Sequence, residues 1–440
     1  MVEGRYVVDD EDSPGDATPQ LEPWRQFHFC FNGAIMKPTP SKKLTSLPPY
    51  LFVRLNALKA KAKANGLDVI DLGQGSPDLP TAPHIVDALR EAAGETWTHR
   101  YPPSDGLPEL REAIASWYRR RFDVALDPGT EVLPLIGSKE GIAHLLMALL
   151  EPGQGVLVPS PCYPVHYNGV LLAGGKANIM PLKAERGFLP DLKAVPAAVA
   201  RRSKALILNY PNNPTGAVVE DIAFLKEALD FSKKHGCLVI YDNAYSELSF
   251  DGYVAPSILE LPGAKDRAVE FHSFSKTFSM AGWRVGFAVG NADAVGHLAK
   301  FKGFLDYGIP AFIQKAAAAA LNGPEDCVRE ARRVYQARRD ALVSALDEAG
   351  WPVQPPKAAM YVWGRLPDAA RKMGSLEFAE RLIMEKGVVI SPGSGFGPLG
   401  EGYARFSLVA PEARLREAAL RIKSFIGSLP APKSRALAAS

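Results

Sequence analysis

Inside two polar tails, short and almost continuously apolar runs alternate with amphipathic helical stretches, and this restricts the chain to an α/β architecture on a largely parallel sheet. "TEVLPLIG" (130 to 137) leads into "SKEGIAHLLMALLEPG", whose Ile142, Leu145, Leu146, Leu149 and Leu150 recur at helical spacing, with Gly153 as the stop. "KALILNY" (204 to 210) precedes the turn-rich "PNNPTG", after which "EDIAFLKEALDFSKKHG" reads as a helix closed by Gly236. "CLVIYD" (237 to 242) and "AVEFHSFS" (268 to 275) have the unbroken apolar character of strands covered on both faces. Beyond about residue 320 the texture changes to a long charged helix, "CVREARRVYQARRDALVSALDEAG", and short strand-like runs such as "AAMYVWGRL" and "EGYARFSLV". A large α/β domain with a smaller α+β domain is therefore expected, as 440 residues exceed what one core usually serves.

Composition removes several function classes. With 51 Lys and Arg against 48 Asp and Glu, the net charge of +3 predicts neither nucleic acid nor an anionic membrane as partner. Cys30, Cys162, Cys237 and Cys327 form no CxxC pair, and the eight histidines form no metal-binding spacing. No metal is expected, and a reducing, cytoplasmic setting is. No stretch approaches a membrane span, and the N-terminal "MVEGRYVVDDEDSPGD" is acidic where a signal peptide is basic. Residues 1 to 35, with seven acids and two arginines, read as a disordered tail; translation from Met36 is an alternative.

In parallel α/β sheets ligands bind beyond the carboxyl ends of the strands. Here those positions hold Gly137 and Ser138 opening a helix, then Asn213, then Asp242 and Tyr245, then Ser273, Ser275 and Lys276. Lys276 directly follows a buried strand, where desolvation lowers an ammonium pKa and makes the amine a nucleophile or Schiff-base former. Two hydroxyls and the guanidinium of Arg284 flank it in "SFSKTFSMAGWR" and suit a phosphate dianion. A cofactor uniting an aldehyde with a phosphate is pyridoxal 5'-phosphate (PLP). Asp242 then has a task, holding the pyridine nitrogen protonated so that the ring draws electrons.

"NNPTG" (212 to 216), "YDNAYSEL" (241 to 248), "SFSKTFSMAGWRVGF" (273 to 287) and "YARFSLV" (403 to 409) stand in the order and spacing of one known group. The chain resembles the fold-type I, class I/II aminotransferases over roughly residues 45 to 428. The resemblance implies a mostly parallel, seven-stranded-type sheet in a PLP-binding domain at 84–320, an arm and part of a small domain at 46–83, and the rest of the small domain at 321–428. Residues 1–45 would be an extension and 429–440 a loose tail. It implies that Lys276 anchors PLP and shuttles a proton, and that Asn213 and Tyr245 hydrogen-bond the phenolic oxygen, with Pro214 holding Asn213 extended. Ser273, Ser275 and Arg284, with the backbone of Ser138 and Lys139, would hold the phosphate, while Tyr163 would stack on the ring. Tyr101 would cross to the partner site of a homodimer. Arg405 would clamp the substrate carboxylate beside the backbone of Gly75.

Finer texture, including "IGSKEGIAHL", "LDYGIPAFIQKAAAAAL" and "KAAMYVW", resembles the bacterial glutamate-pyruvate (alanine) transaminase branch, with LL-diaminopimelate and aspartate aminotransferases as near relatives. L-alanine and 2-oxoglutarate are the expected substrates; LL-diaminopimelate or aspartate transamination, or a PLP lyase, are the alternatives. Tyr307 and Tyr361 are pocket candidates or packing residues. His99, His144, His166 and His272 are expected to be structural. The "SPGSGFGPLG" segment (391 to 400) reads as a flexible stretch near the substrate mouth, and Arg405 could instead be a charge on an edge strand.

Overall fold

The computed structural model describes residues 37–48 and 51–430. The expected tail at 1–35, Met36 and residues 431–440 lie outside the described residues. Of the extension expected to reach residue 45, Lys42–Thr45 form one helical turn.

Seven strands form the main sheet: β1 (Val132–Leu135), β2 (Gly155–Ser160), β3 (Lys176–Pro181), β4 (Ser203–Asn209), β5 (Leu238–Asp242), β6 (Ala268–Ser273) and β7 (Gly286–Gly290). Their order is β1-β7-β6-β5-β4-β2-β3. All neighbours pair in parallel except those of β7, which runs antiparallel to both β1 and β6. The architecture is α/β with a large, mostly parallel sheet, as the apolar runs predicted.

Side chains alternate between two cores, which explains why those runs carry no polar face. Along β4, Leu206 and Leu208 enter one cluster while Ala205 and Ile207 enter the other. The helix Ser138–Leu149 covers one face with Ile142, Leu145 and Leu146 buried. It sits so close that a Cβ on its Gly141 would collide with Leu135 and touch Phe271. The helix Ala223–His235 ends at Gly236, whose φ of 71° is the left-handed conformation that glycine adopts cheaply.

A third core gathers around β8 (Tyr361–Arg365), β9 (Ser391–Pro392) and β10 (Tyr403–Ser407), an antiparallel sheet in the order β9-β10-β8. The long helix Asp326–Glu348 and the last helix, Glu412–Ser428, pack on it. β10 is the middle strand and Arg405 is buried, so Arg405 is not an edge-strand charge.

The "SPGSGFGPLG" segment is not the flexible stretch expected. It forms two tight turns, Gly393–Phe396 and Pro398–Gly400, in which Gly393, Phe396 and Gly400 are buried. A Cβ on Gly393 or Gly400 would run into the other's carbonyl, and one on Gly395 would run into Leu51. The glycines are there for close packing rather than for looseness.

Candidate active site

Parallel register brings the chemistry to one edge. Asn209 pairs with Asp242, and Asp242 with Phe271, so β4, β5 and β6 all deliver their next residues to the same rim. Antiparallel β7 starts there: Gly286 pairs with Ser273 on one side and Leu135 on the other. A Cβ on Gly286 would lie 2.8 Å from the Ser138 backbone nitrogen and 2.7 Å from the His272 carbonyl. Glycine is what lets Ser273 and the helix start at Ser138 approach each other.

A cavity of about 300 Å³ opens at this rim, lined by Gly75, Ser138, Lys139, Tyr163, Asn213, Asp242, Tyr245, Ser273, Lys276, Arg284 and Arg405, all expected from the sequence. Tyr361, one of the two pocket candidates, also lines it with Ala244, together with Asn56, Gln74 and Asn209, which sequence reasoning passed over. Asn209 was within reach of the strand-end argument, since it closes β4; Asn56 lies on the helix Leu51–Ala64 and carries no local signal. Two expected residues are not on the cavity wall. Ser275 is buried behind it, its N–H donating to Ser273 Oγ at 3.2 Å. Tyr101 is 88% exposed and packs edge-on against Tyr307, 5.3 Å between ring centres. Tyr307 is outside the cavity as well.

The "NNPTG" turn is a hydrogen-bonded knot. Asn209 Nδ2 donates to the Asp242 carbonyl at 2.8 Å, and Asn209 Oδ1 accepts the Asn213 N–H at 3.0 Å. Asn212 Oδ1 accepts from both the N–H and the hydroxyl of Thr215. The Asn213–Pro214 peptide is cis. Asn213 Oδ1 in turn accepts from Arg405 Nη1 at 2.8 Å.

Arg405 also donates to the Gly73 carbonyl at 2.8 Å, and its guanidinium lies between the rings of Tyr361 and Phe396, 4.1 and 4.7 Å from their centres. Its buried Nε has no partner. Burial pulls this guanidinium below its ordinary value, so the site favours an incoming anion.

Lys276 follows β6 on the turn Phe274–Thr277 and donates to the Gly75 carbonyl at 2.7 Å. Burial, then the charges of Arg405 and Arg284, lower its pKa against the opposing pull of Tyr361. Lys139 at the rim is lowered by desolvation and by Arg284. Tyr245 and Tyr361 share a hydroxyl contact of 2.8 Å. Burial drives Tyr245 well upward. Burial alone would raise Tyr361 too, but Lys276 and Arg405 outweigh it and hold that phenol below its usual value. Tyr361 occupies the space a Cβ on Gly75 would need, so only glycine fits there.

Four cations, Lys139, Lys276, Arg284 and Arg405, thus face one carboxylate, Asp242. Asp242 Oδ2 lies 2.9 Å from His166 Nε2, while Oδ1 is buried without a partner. His166 therefore stands directly behind the site. His272 is structural as expected, bonded to Glu270 and to the Tyr118 hydroxyl. Elsewhere Glu140, His144 and Asp306 cluster, and the ammonium of Lys302 already supplies their cation at 2.9 to 3.0 Å. No helix among the described residues is long and apolar enough to cross a membrane.

Such a cavity can take two anionic groups, one near Ser138, Ser273 and Arg284 and one at Arg405, with an amine between them. Residues 67–422 match the family described as Aminotransferase class I and II. The LL-diaminopimelate aminotransferase of Desulforudis audaxviator is 50% identical over 387 residues, 88% of this chain and 98% of the relative. Among solved structures, substrate-bound BacF from Bacillus subtilis is 39% identical with a TM-score of 0.86, covering 91% of this chain and all of that one. A Thermus thermophilus aspartate aminotransferase double mutant is 30% identical with a TM-score of 0.82, over 88% of this chain and all of that one.

Proposed function

We propose, from the premise that this chain belongs to the class I and II aminotransferases, that it moves an amino group from LL-diaminopimelate to a 2-oxo acid. Members of the family use PLP. The residues present fit it: the unpartnered Asp242 Oδ1 suits a protonated ring nitrogen, and the cations by the helix start suit a phosphate. Bound, PLP supplies an aldehyde for amines and a ring that draws electrons away from a substrate α-carbon.

In this reading Lys276 would hold the cofactor through its aldehyde, and its Nζ would move a proton at the substrate α-carbon. Its lowered pKa keeps more of the amine in the basic form. Asp242 would keep the ring nitrogen protonated, with its carboxylate fixed by His166. Asn213 and Tyr245 would serve the phenolic oxygen, and Tyr163 would stack on the ring. Ser273, Arg284 and the first N–H groups of the helix Ser138–Leu149 hold the phosphate, with Ser275 acting through Ser273. Arg405, beside Gly75, takes the α-carboxylate common to both substrates. Tyr101 reaches the partner's site in a homodimer, since it lies away from the cavity of its own chain.

The single observation that carries the reaction type is one amine, Lys276, with three other cations and a carboxylate whose Oδ1 has no partner, all in a single cavity. The choice of LL-diaminopimelate is supported by the name of a relative half identical over nearly its whole length. The alanine expectation is corrected to that extent: it rested on short segments, and the relatives named here do not carry it. A half-reaction screen tests the reading. LL-diaminopimelate should convert the cofactor to its aminated form, followed through its absorbance, and 2-oxoglutarate should restore it. Conversion by alanine alone would return the earlier expectation, and ammonia release without the aminated form would indicate elimination.

A further inference from the structure

A second cavity, of about 370 Å³, lies against the first. Consecutive residues contribute to the partition between them. Tyr163 lines the first cavity, and its neighbours Cys162 and Pro164 line the second. Phe396 lines the second cavity while its ring lies 4.7 Å from the Arg405 guanidinium carbon. The Phe396 carbonyl accepts the Cys162 N–H at 2.9 Å, so the glycine-rich turns and the end of β2 are tied together at this partition.

The chemistry of the second cavity is the opposite of the first. No Lys, Arg, Asp, Glu or His lines it among the described residues; Leu51, Ile179, Phe396 and several prolines give it apolar walls. Burial pushes the Cys162 thiol up to about 12, so it stays neutral. Its polar side chains are uncharged: Ser46, Ser160, Tyr167, Asn168 and Ser394. Ser160 is 2% exposed, lines the cavity, and its hydroxyl has no hydrogen-bond partner. Gly397 keeps that hydroxyl accessible, since a Cβ there would lie 2.9 Å from it.

We propose that this cavity is a side-chain subsite for amino acids and 2-oxo acids with a long, uncharged, mainly aliphatic side chain, with Phe396 as the partition that the chain must pass. The inference rests on Arg405 as the carboxylate site and goes beyond the LL-diaminopimelate reading. A terminal carboxylate entering this space would lose its hydration without meeting a cation, whereas each methylene would gain from burial.

Calorimetric titration of the PLP-loaded protein with unreactive straight-chain carboxylates, butanoate to octanoate, reads the subsite without turnover. Affinity should rise about fourfold per added methylene once the chain passes Phe396. The dicarboxylate of matching length should bind at least about tenfold more weakly. Ile179→Trp, at a cavity-lining position 38% exposed, should abolish the chain-length gain. A flat series, dicarboxylates bound as tightly as monocarboxylates, or an undiminished gain in Ile179→Trp would overturn the proposal. LL-diaminopimelate turnover on the same preparation reports separately on the proposed function. Short carboxylates that bind with no gain for longer ones sink only the subsite, whereas binding of none sinks the Arg405 reading with it.

Discussion

Single groups in this cavity do their work by being left unsatisfied. Arg405 Nε and Asp242 Oδ1 are buried without partners, a state that costs roughly 1–3 kcal/mol per group and persists where a ligand completes it. Lys276 is instead held by the Gly75 carbonyl, an amine among cations. Lys276→Ala should therefore abolish turnover while the phosphate contacts retain PLP, and borohydride trapping of the cofactor on another lysine would contradict the assignment. Asp242→Ala should slow removal of the α-proton at least about a hundredfold in single turnover, well beyond any loss of PLP affinity. The pH dependence follows from the direction of the Lys276 shift. A lowered pKa means that the neutral, reactive amine is populated earlier as pH rises. Acylation of Lys276 in the cofactor-free protein, read by peptide mass spectrometry, should level off below about pH 10.5, where an unburied lysine is still gaining reactivity. Coincident profiles would show that burial and the two arginines do not act on it.

At the level of elements, the site depends on how closely a strand, a helix and a turn can approach. β7 enters between the ends of β6 and β1 only because Gly286 has no side chain, and Gly137, at φ 82°, would press a Cβ against Arg284 Nη2 at 2.6 Å. Gly286→Ala should cost about 1–3 kcal/mol in urea unfolding by overpacking, and it should weaken PLP binding by separating Ser138 from Ser273. Normal PLP affinity at reduced stability would detach this contact from the phosphate site. The same closeness explains what the sequence made legible. β4, β5 and β6 announced themselves because both faces are covered, and the polar residues after them stood out against those runs. β3 did not, because this edge strand is largely exposed and "KANIMP" has neither an apolar run nor a clean alternation. Ser275 matched by motif, yet its turn places it behind Ser273, a distinction of one residue that spacing cannot express. Tyr361 could not be separated from a packing residue, because its role comes from contacts with Tyr245, Arg405 and Gly75, which are 116, 44 and 286 positions away in sequence. The glycine-rich turns misled for a related reason: composition signals freedom, whereas the glycines respond to backbone pressed on backbone.

On the scale of the whole molecule, one chain leaves a conspicuous apolar face uncovered. Phe304 is 88% exposed, Leu305 58% and Tyr307 49%, beside a Tyr101 that is 88% exposed and absent from its own cavity. Aromatic groups of that size grouped at one surface mark a contact with another protein surface. In the homodimer proposed above, that surface is a second copy, and Tyr101 completes the neighbouring site. A complementation experiment separates this from a local role. Tyr101→Ala and Lys276→Ala are each defective, the first in what a chain lends to its partner and the second in its own site. After equal mixing and subunit exchange, about half of the dimers are mixed. Each mixed dimer has one site with both defects and one with neither, because the intact Lys276 of one chain meets the intact Tyr101 of the other. Activity should therefore recover to about a quarter of the parental value per chain. If Tyr101 served its own chain, every site would keep one defect, and the mixture would show no more than the average of the two variants. Phe304→Asp, which places a charge in the proposed contact, should shift the sedimenting species toward one chain and abolish that recovery.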